Sequence, residues 1–491
     1  MIRATSGRSA PGTVRSATAA AVRLERLPAV EATRAIDLAE HFRDLPGLAL
    51  LESARPGRNA RWTFLTADPV AVLTTPAPGG DPFAVARQLL RRLEPGAAPA
   101  DADIAPTGRD APPFIGGILG FLGYDLGHEL ERLPMLAADD QGLPIMQLAL
   151  HDWVVAWDRR TGKAWLGGRA FDGDTHRLDR RLADVRGRIV REPNRSPFPG
   201  DPDVEFEFRS GLDRAAYEVG VEAVRQEIAR GEIYQANLTR RLETAFHADP
   251  WPLYRRLRTG DPSLFSAYLD LGRSSSGGGR RAILSASPEP FLAVDRSGVV
   301  TTDPIKGTRP RGRTREEDRA FAAELLASGK DRAENVMIVD VLRNDLGRVC
   351  VPGSVRVPRL CRLERTAAVQ HLVSTVTGRL AAGRDAFDLL SASFPGGSIT
   401  GAPKIRAMEI LEELEPVRRG PYTGALGWIG PDGTMASSIL IRTFVADGRR
   451  LTLHVGGGIT DRSDPAEEWD ETVAKARGPL SAIGGREVAQ T

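Results

Sequence analysis

The sequence predicts an α+β fold, and three observations carry that expectation. Apolar residues recur at helical spacing in several segments after residue 203, short apolar runs near the C-terminus are separated by tight-turn sequences, and the composition is that of a folded globular chain. The chain has 491 residues, of which 41% are hydrophobic and 26% charged, with Gly and Pro dispersed throughout.

Taken in order, residues 1–24 hold Arg3, Arg8, Arg15 and Arg23 and no acid, and read as a disordered extension. Breaks rich in Pro, Gly, Ser or Asp fall at 95–113, 192–203 and 272–280. The second is the best domain boundary, dividing an N-terminal region at 25–191 from a C-terminal one at 204–487. Asp213 caps a predicted helix running to about Arg230, with Val221, Val224 and Ile228 as its apolar stripe. IYQANLTRRLETAF (233–246) reads as a strand, as does 298–305, and two helices over 315–329 and 331–346 are expected to break at Gly329. The runs 424–430, 437–445 and 451–455 read as an antiparallel meander joined by PDG and DGRR turns. A last helix opens with Asp464 as cap and Pro465 in its first turn.

Composition excludes several functions. Lys and Arg number 66 against 64 Asp and Glu, a net charge of +2, so no basic excess argues for a nucleic acid or a membrane surface. No apolar window reaches the roughly 18 residues of a membrane span. Two cysteines, Cys350 and Cys361, cannot form a disulfide framework, and a reducing, cytoplasmic compartment is expected. FPGGSITGAPK lacks the Lys and Ser/Thr of a phosphate-binding P-loop, no Cys/His cluster suits zinc, and no GxGxxG follows a strand.

Candidate chemistry lies in three places. Glu334 shares a helix face with Met337, Ile338 and Val341, so its carboxylate needs a partner: an arginine in the core or a cation. Glu468, Glu471 and Lys475 form one face of the last helix; alone they are a solvated stripe, but two acid-bearing helices facing one cleft would suit a hard divalent ion. Lys306 precedes a glycine in TTDPIKGTRPRG, where it is either a surface charge or, in a dry pocket, a nucleophile.

These residues fall in segments that together carry a resemblance. PIKGTRPRG (304–312), DRAENVMIVDVLRNDLG (331–347), FPGGSITGAPKIRAMEIL (394–411), GPYTGALGWI (420–429) and GGGITDRSDPAEEWDETVAKA (456–476) resemble, in this order, the chorismate-utilising enzymes. LLES (50–53), FIGGILGFLGYDLGHELERLP (114–134) and LHDWVVAWD (150–158) resemble the N-terminal region of that family's ammonia-using large subunits, so the likeness spans about residues 25–485.

The resemblance implies a fold of large antiparallel sheets flanked by helices, with an N-terminal subdomain. It implies Mg²⁺ held by Glu334 and Glu471, with Asp331 and Glu468 behind them. Lys306 would be the nucleophile, Glu289 the general acid and His371 a residue beside the ring. Chorismate would be held by Gln235, Thr308, Tyr422, Arg442, Lys475 and the amides of Gly456, Gly457 and Gly458. Glu52 and Ser53 would mark a tryptophan site. Gln235 stands where water-using members carry a general-base lysine, which implies ammonia as the nucleophile, supplied by a separate glutamine amidotransferase subunit because no glutaminase cysteine is present. PIKGT has the lysine of aminodeoxychorismate synthases where anthranilate synthases carry alanine; anthranilate formation is the alternative, and a non-catalytic tryptophan-binding subunit is the alternative of another class. Asn335 departs from the histidine many relatives carry after the metal-ligand Glu.

Overall fold

A computed structural model of the chain describes residues 21–57, 60–77, 80–93, 111–191, 205–274, 278–366 and 369–489. Two large sheets form its centre. One has thirteen strands, ordered Val22–Arg26, Lys163–Arg169, Trp153–Asp158, Trp62–Thr66, Ala49–Glu52, Phe265–Arg273, Arg280–Ser287, Thr443–Ala446, Arg450–Ile459, Gln235–Ala245, Phe206–Ser210 and Gly485–Glu487, with Gly401–Ala402 paired to Gln235–Ala245. The other has ten, ordered Ile305–Pro310, Val369–Arg379, Val299–Thr302, Pro290–Val294, Met435–Ile439, Ala425–Ile429, Gly117–Leu122, Met146–His151 and Ala71–Leu73, with Arg356–Arg365 also on Val369–Arg379. Pairing is antiparallel except between Gly485–Glu487 and Phe206–Ser210.

Burial explains the layering. Phe64, Val154, Leu269 and Ile283 from the first sheet and Phe121, Leu426 and Trp428 from the second pack into one cluster, so the sheets meet face to face. On the outer face of the first sheet, Leu178, Trp251, Leu257 and Leu480 bring in the helices Thr175–Val190, Pro250–Gly260 and Pro465–Ala482. On the outer face of the second, Ile338, Leu342 and Leu390 bring in Gly329–Gly347 and Ala386–Ser393, whereas Ala407, Ile410 and Leu411 set Lys404–Leu414 against Ala236 and Leu238 of the first sheet. Central strands such as Arg280–Ser287 are therefore covered on both faces, and their apolar residues run on without the alternation of a one-sided sheet. Both sheets draw strands from both halves: Ala49–Glu52 pairs with Phe265–Arg273, and Gly117–Leu122 with Ala425–Ile429.

Most predicted elements form where the sequence places them. The helix Arg214–Ala229 starts at Asp213, whose side chain accepts from the Ala216 N–H, and buries Val221 and Val224. The strand predicted over 233–246 is Gln235–Ala245. Four details differ. The predicted extension ends earlier, because Val22–Arg26 is an edge strand on Lys163–Arg169. The strand expected over 298–305 is two strands, Val299–Thr302 and Ile305–Pro310, parted where Asp303 accepts from Thr375 and the carbonyl of Pro304 from Ser374. The helix break falls at Ser328, which caps Gly329–Gly347 by accepting from the Asp331 N–H, so Gly329 lies inside the helix. The run 437–445 is divided, because the chain crosses from one sheet to the other between Ile439 and Thr443, with Arg442 at φ +49°. The break expected at 192–203 and most of that at 95–113 lie outside the described residues.

One buried ion pair ties these layers together. Arg419 donates to both oxygens of Glu415, at 2.7 and 2.8 Å, and also to the carbonyls of Asn237 and Ile399; Glu415 accepts from the Thr239 N–H and hydroxyl. Removing one partner of such a pair strands a buried charge, at a cost of about 3–5 kcal/mol. Arg419→Met should therefore lower the unfolding free energy by that much, read as a fall in the denaturant midpoint at an unchanged slope; a loss below about 1 kcal/mol would show that the pair is not a keystone.

Candidate active site

Lys306 owes its position to the residue that follows it. The strand Ile305–Pro310 shifts register against Val369–Arg379 between Lys306 and Thr308, and Gly307 sits there at φ +80°. A Cβ at Gly307 would lie 2.9 Å from that of Asp331, so only glycine lets the strand lie this close to the helix Gly329–Gly347. The Lys306 Nζ donates to the Ser398 carbonyl at 3.2 Å, and the Ser398 hydroxyl donates to Glu289 at 2.9 Å. Ser398 thus holds the lysine and the acid side by side. Burial lowers the Lys306 pKa against the opposing pull of Glu334 and Glu289, and raises that of Glu289 against Lys306 and Ser398. An amine that releases its proton easily and a carboxyl that keeps its own are a nucleophile and an acid in waiting.

Two helices supply the remaining charge. Asp331 and Glu334 come from Gly329–Gly347, and Glu468, Glu471 and Lys475 from Pro465–Ala482. Burial raises the pKa of Glu334, relieved by Lys306 and Lys330 and reinforced by Asp331 and Glu471. Burial also raises that of Glu468, whose carboxylate accepts from the Ser463 hydroxyl at 2.6 Å. Burial acts on Glu471 in the same sense, but Lys475 at 2.6 Å outweighs it and leaves the carboxyl below its ordinary range. Asp331 is taken by Arg309 at 3.2 Å. Among the described residues no three His, Cys, Asp or Glu side chains converge as a preformed metal cage. Two carboxylates from two helices, with the charge of Glu471 felt at Glu334, do fit a hard cation such as Mg²⁺, which takes one or two protein carboxylates and leaves its other positions to water and ligand.

The glycines Gly456, Gly457 and Gly458 face Thr239, Leu238 and Asn237 across the sheet. A Cβ at Gly458 would lie 1.9 Å from the Gln235 Nε2, and one at Gly457 2.8 Å from a Glu468 oxygen, so the bare backbone makes room for both side chains. Lys475 donates to the Gly456 carbonyl at 2.8 Å. Gln235 is buried with its Oε1 unpartnered. Tyr422 is buried and stacks on His454, ring centroids 5.0 Å apart and planes 12° apart.

His371 lies opposite Thr308 in the strand pair and shares a hydrogen bond of 3.0 Å with its hydroxyl. Burial, with Arg55 and Arg442 adding to it, pushes its pKa down to about 4, so the ring is neutral at physiological pH. Arg442 pairs loosely with Asp261, 3.8 Å away. Sequence reasoning missed Ser398, which lies inside the motif FPGGSITGAPK but carries no local signal that its carbonyl and hydroxyl meet Lys306 and Glu289.

Glu52 and Ser53 line a separate cavity of about 690 Å³ between the sheets, with Trp62, Phe64 and Trp428 among its walls. The Glu52 carboxylate is already engaged, accepting from Arg258 at 2.6 and 2.8 Å and from Tyr254 at 2.8 Å.

Residues 50–481 match the chorismate binding enzyme family, and the chain belongs to it. It is 40% identical to anthranilate synthase component 1 of Streptomyces coelicolor over 90% of this chain and 84% of that one. It is also 40% identical to aminodeoxychorismate synthase component 1 of Salmonella typhimurium over 89% of this chain and 94% of that one. Its structure matches that of anthranilate synthase component I from Streptococcus pneumoniae with a TM-score of 0.72 at 30% identity, covering 87% and 93% of the two chains. The fold is shared with the isochorismate synthase MenF of Escherichia coli, TM-score 0.71 at 19% identity over 94% of each chain. The chain is thus a chorismate-binding enzyme of mixed α+β fold. Among the described residues no helix is long and apolar enough to cross a membrane.

The raised pKa of Glu289 has a consequence for stability. The folded protein keeps this proton to a higher pH than the unfolded chain does, so ionisation penalises folding above both values and has no effect below the ordinary glutamate value near 4. Glu289→Gln should melt above wild type at about pH 8, with the gain shrinking as the pH falls towards about 4. Thermal melts across that range decide it; a variant less stable at the alkaline end would mean that Lys306 overcompensates the burial of Glu289.

Proposed function

We propose that the chain is the aminating component of an aminodeoxychorismate synthase, converting chorismate and ammonia to 4-amino-4-deoxychorismate. The observation that carries this is Lys306 in PIKGT, held beside Glu289 by Ser398 with both groups shifted toward their reactive protonation states. The neutral amine of Lys306 adds to C2 of the ring, the double bond shifts, and the C4 hydroxyl leaves as water with the proton of Glu289. Ammonia then adds to C4, the double bond shifts back, and Lys306 departs as the amine; the surplus proton of the added ammonia returns to Glu289. Hydroxide is a poor leaving group, and a positioned acid is worth about 10²–10⁴ in rate.

Glu334 and Glu471 would hold Mg²⁺, with Glu468 behind them; Asp331, paired with Arg309, holds the strand carrying Lys306 against the helix. When bound, the ion neutralises the ring carboxylate. Tyr422, Arg442, Lys475, Gln235, Thr308 and the Gly456–Gly458 backbone form the remaining walls, and His371 stays neutral beside the ring. Ammonia would come from a separate glutamine amidotransferase subunit; the component 1 names of the relatives support the existence of a second component. Ser53 and its cavity are a place for tryptophan, with Glu52 serving the wall through Arg258.

Anthranilate synthesis is the second reading, favoured by the relative from Streptomyces coelicolor. Incubation with chorismate, Mg²⁺ and ammonium should give a non-fluorescent aminated product; anthranilate fluorescence without an added lyase would reverse the order of the two readings. A purely tryptophan-binding subunit would need none of Glu289, Lys306, Glu334 and Glu471.

Glu334→Gln and Glu471→Gln should each abolish activity or steeply raise the Mg²⁺ requirement with the fold intact, and full activity at ordinary Mg²⁺ in either variant would refute the metal assignment. Lys306→Ala should lose most amination, and wild type alone should gain the mass of a substrate adduct at this residue. Turnover by Lys306→Ala at the wild-type rate would exclude covalent catalysis.

A further inference from the structure

The helix Pro465–Ala482 brings Glu468, Glu471 and Lys475 to the cleft, and what holds it there is divided unevenly along its length. Its second half is seated by apolar burial through Ala476 and Leu480. In its first half the buried side chains are Glu468 and Thr472, with Trp469 partly buried against Tyr217, ring centroids 5.8 Å apart. Apolar contact is non-directional and lets a helix slide or turn, whereas Mg²⁺ demands near-ideal geometry from its ligands. The turns that carry the acids therefore need a directional anchor.

The contacts there converge on Arg240, a buried residue of the strand Gln235–Ala245. Leu238, two residues earlier and on the same strand face, lies opposite Gly457. Above that glycine the helix side chains gather: a Cβ at Gly457 would lie 2.8 Å from a Glu468 oxygen and 3.9 Å from both a Glu471 oxygen and the Lys475 Nζ. Arg240 is thus one strand step from the cleft. Its Nε donates to the Thr472 hydroxyl at 2.7 Å, and that hydroxyl donates to the Trp469 carbonyl at 2.7 Å. Its guanidinium carbon lies 4.1 Å from the centroid of the Trp469 ring. Its terminal nitrogens donate to the two oxygens of Glu487, at 2.5 and 3.1 Å, on the C-terminal strand Gly485–Glu487. All three nitrogens are engaged, and a rigid planar fork that serves Glu487 and Thr472 together fixes the one relative to the other. Thr472 follows Glu471 directly and stands one turn after Glu468.

We propose that Arg240 is a positioning residue for the metal-bearing helix: braced by Glu487, it fixes through Thr472 and Trp469 the rotation of the turns that carry Glu468 and Glu471. The proposal rests on the reading of Glu334 and Glu471 as the Mg²⁺ ligands. It gives the short C-terminal strand a part in the site, since that strand supplies the carboxylate that holds Arg240.

The test sets Mn²⁺ binding to the full chain, followed by electron paramagnetic resonance without substrate, beside the Mg²⁺ dependence of turnover on chorismate and ammonium. Thr472→Val and Glu487→Gln should each weaken Mn²⁺ binding and raise the Mg²⁺ concentration for half-maximal rate by about tenfold, the lower end of what losing the support behind a metal ligand costs. At saturating Mg²⁺ the KM for chorismate should stay within about twofold of wild type. Thr472→Ser, which keeps the hydroxyl, should restore both metal readouts. Leu480→Val loosens the far half of the same helix and should change neither. Wild-type Mn²⁺ binding in both Thr472→Val and Glu487→Gln, while Glu471→Gln loses it, overturns the role of Arg240 and leaves the metal reading standing. An equal rise in the Mg²⁺ requirement of Leu480→Val makes the effect one of general loosening and also overturns it. Should Glu334→Gln and Glu471→Gln leave Mn²⁺ binding unchanged, the metal reading fails and the role of Arg240 fails with it.

Discussion

The buried pair of Arg419 and Glu415 is the interaction on which the rest of the site depends. Its two residues belong to the segment that follows the helix Lys404–Leu414, yet its hydrogen bonds reach Asn237 and Thr239 in the strand bearing Gln235, and Ile399 next to Ser398. A guanidinium has five donors in a fixed fork, so an arginine with all its neighbours in place fixes several chain segments at once. Ser398 in turn holds both Lys306 and Glu289. The geometry of the reactive pair is therefore set at a distance by an ion pair that takes no part in the chemistry.

The reactive groups themselves are held against their preferences. Burial pushes the lysine and the glutamate toward their neutral forms, and each is only partly relieved by the other. Glu334 and Glu468 repeat the pattern, Glu334 raised by burial and by the charge of Glu471, whereas Lys475 holds Glu471 below its ordinary range. Sites of this kind commonly trade stability for function.

Close approach is the second recurring constraint. Gly307 brings the Lys306 strand against the helix of Glu334, and Gly458 leaves room for the Gln235 amide. In both places a side chain would occupy volume that a functional group needs, which is why short glycine motifs carry so much of the site's identity.

Helix and strand positions were legible in the sequence wherever the signal is local: Asp213 and Asp464 as caps, the stripe of Val221 and Val224, the PDG turn. So was most of the candidate site, because Lys306, Glu334 and Glu471 sit in motifs that chemistry keeps contiguous. Tertiary structure decided the rest. That Asp331 goes to Arg309, that Glu52 is spent on Arg258, and that Asp261 meets Arg442 all depend on pairings between segments distant in the chain. The run 437–445 shows the same limit: its apolar character is fixed by the sequence, but its division between two sheets comes from the partners on either side, Ala425–Ile429 and Arg450–Ile459. Local backbone preference and side-chain chemistry are properties of short segments; which charge meets which is a property of how two continuous sheets, built from both halves of the chain, close on one another.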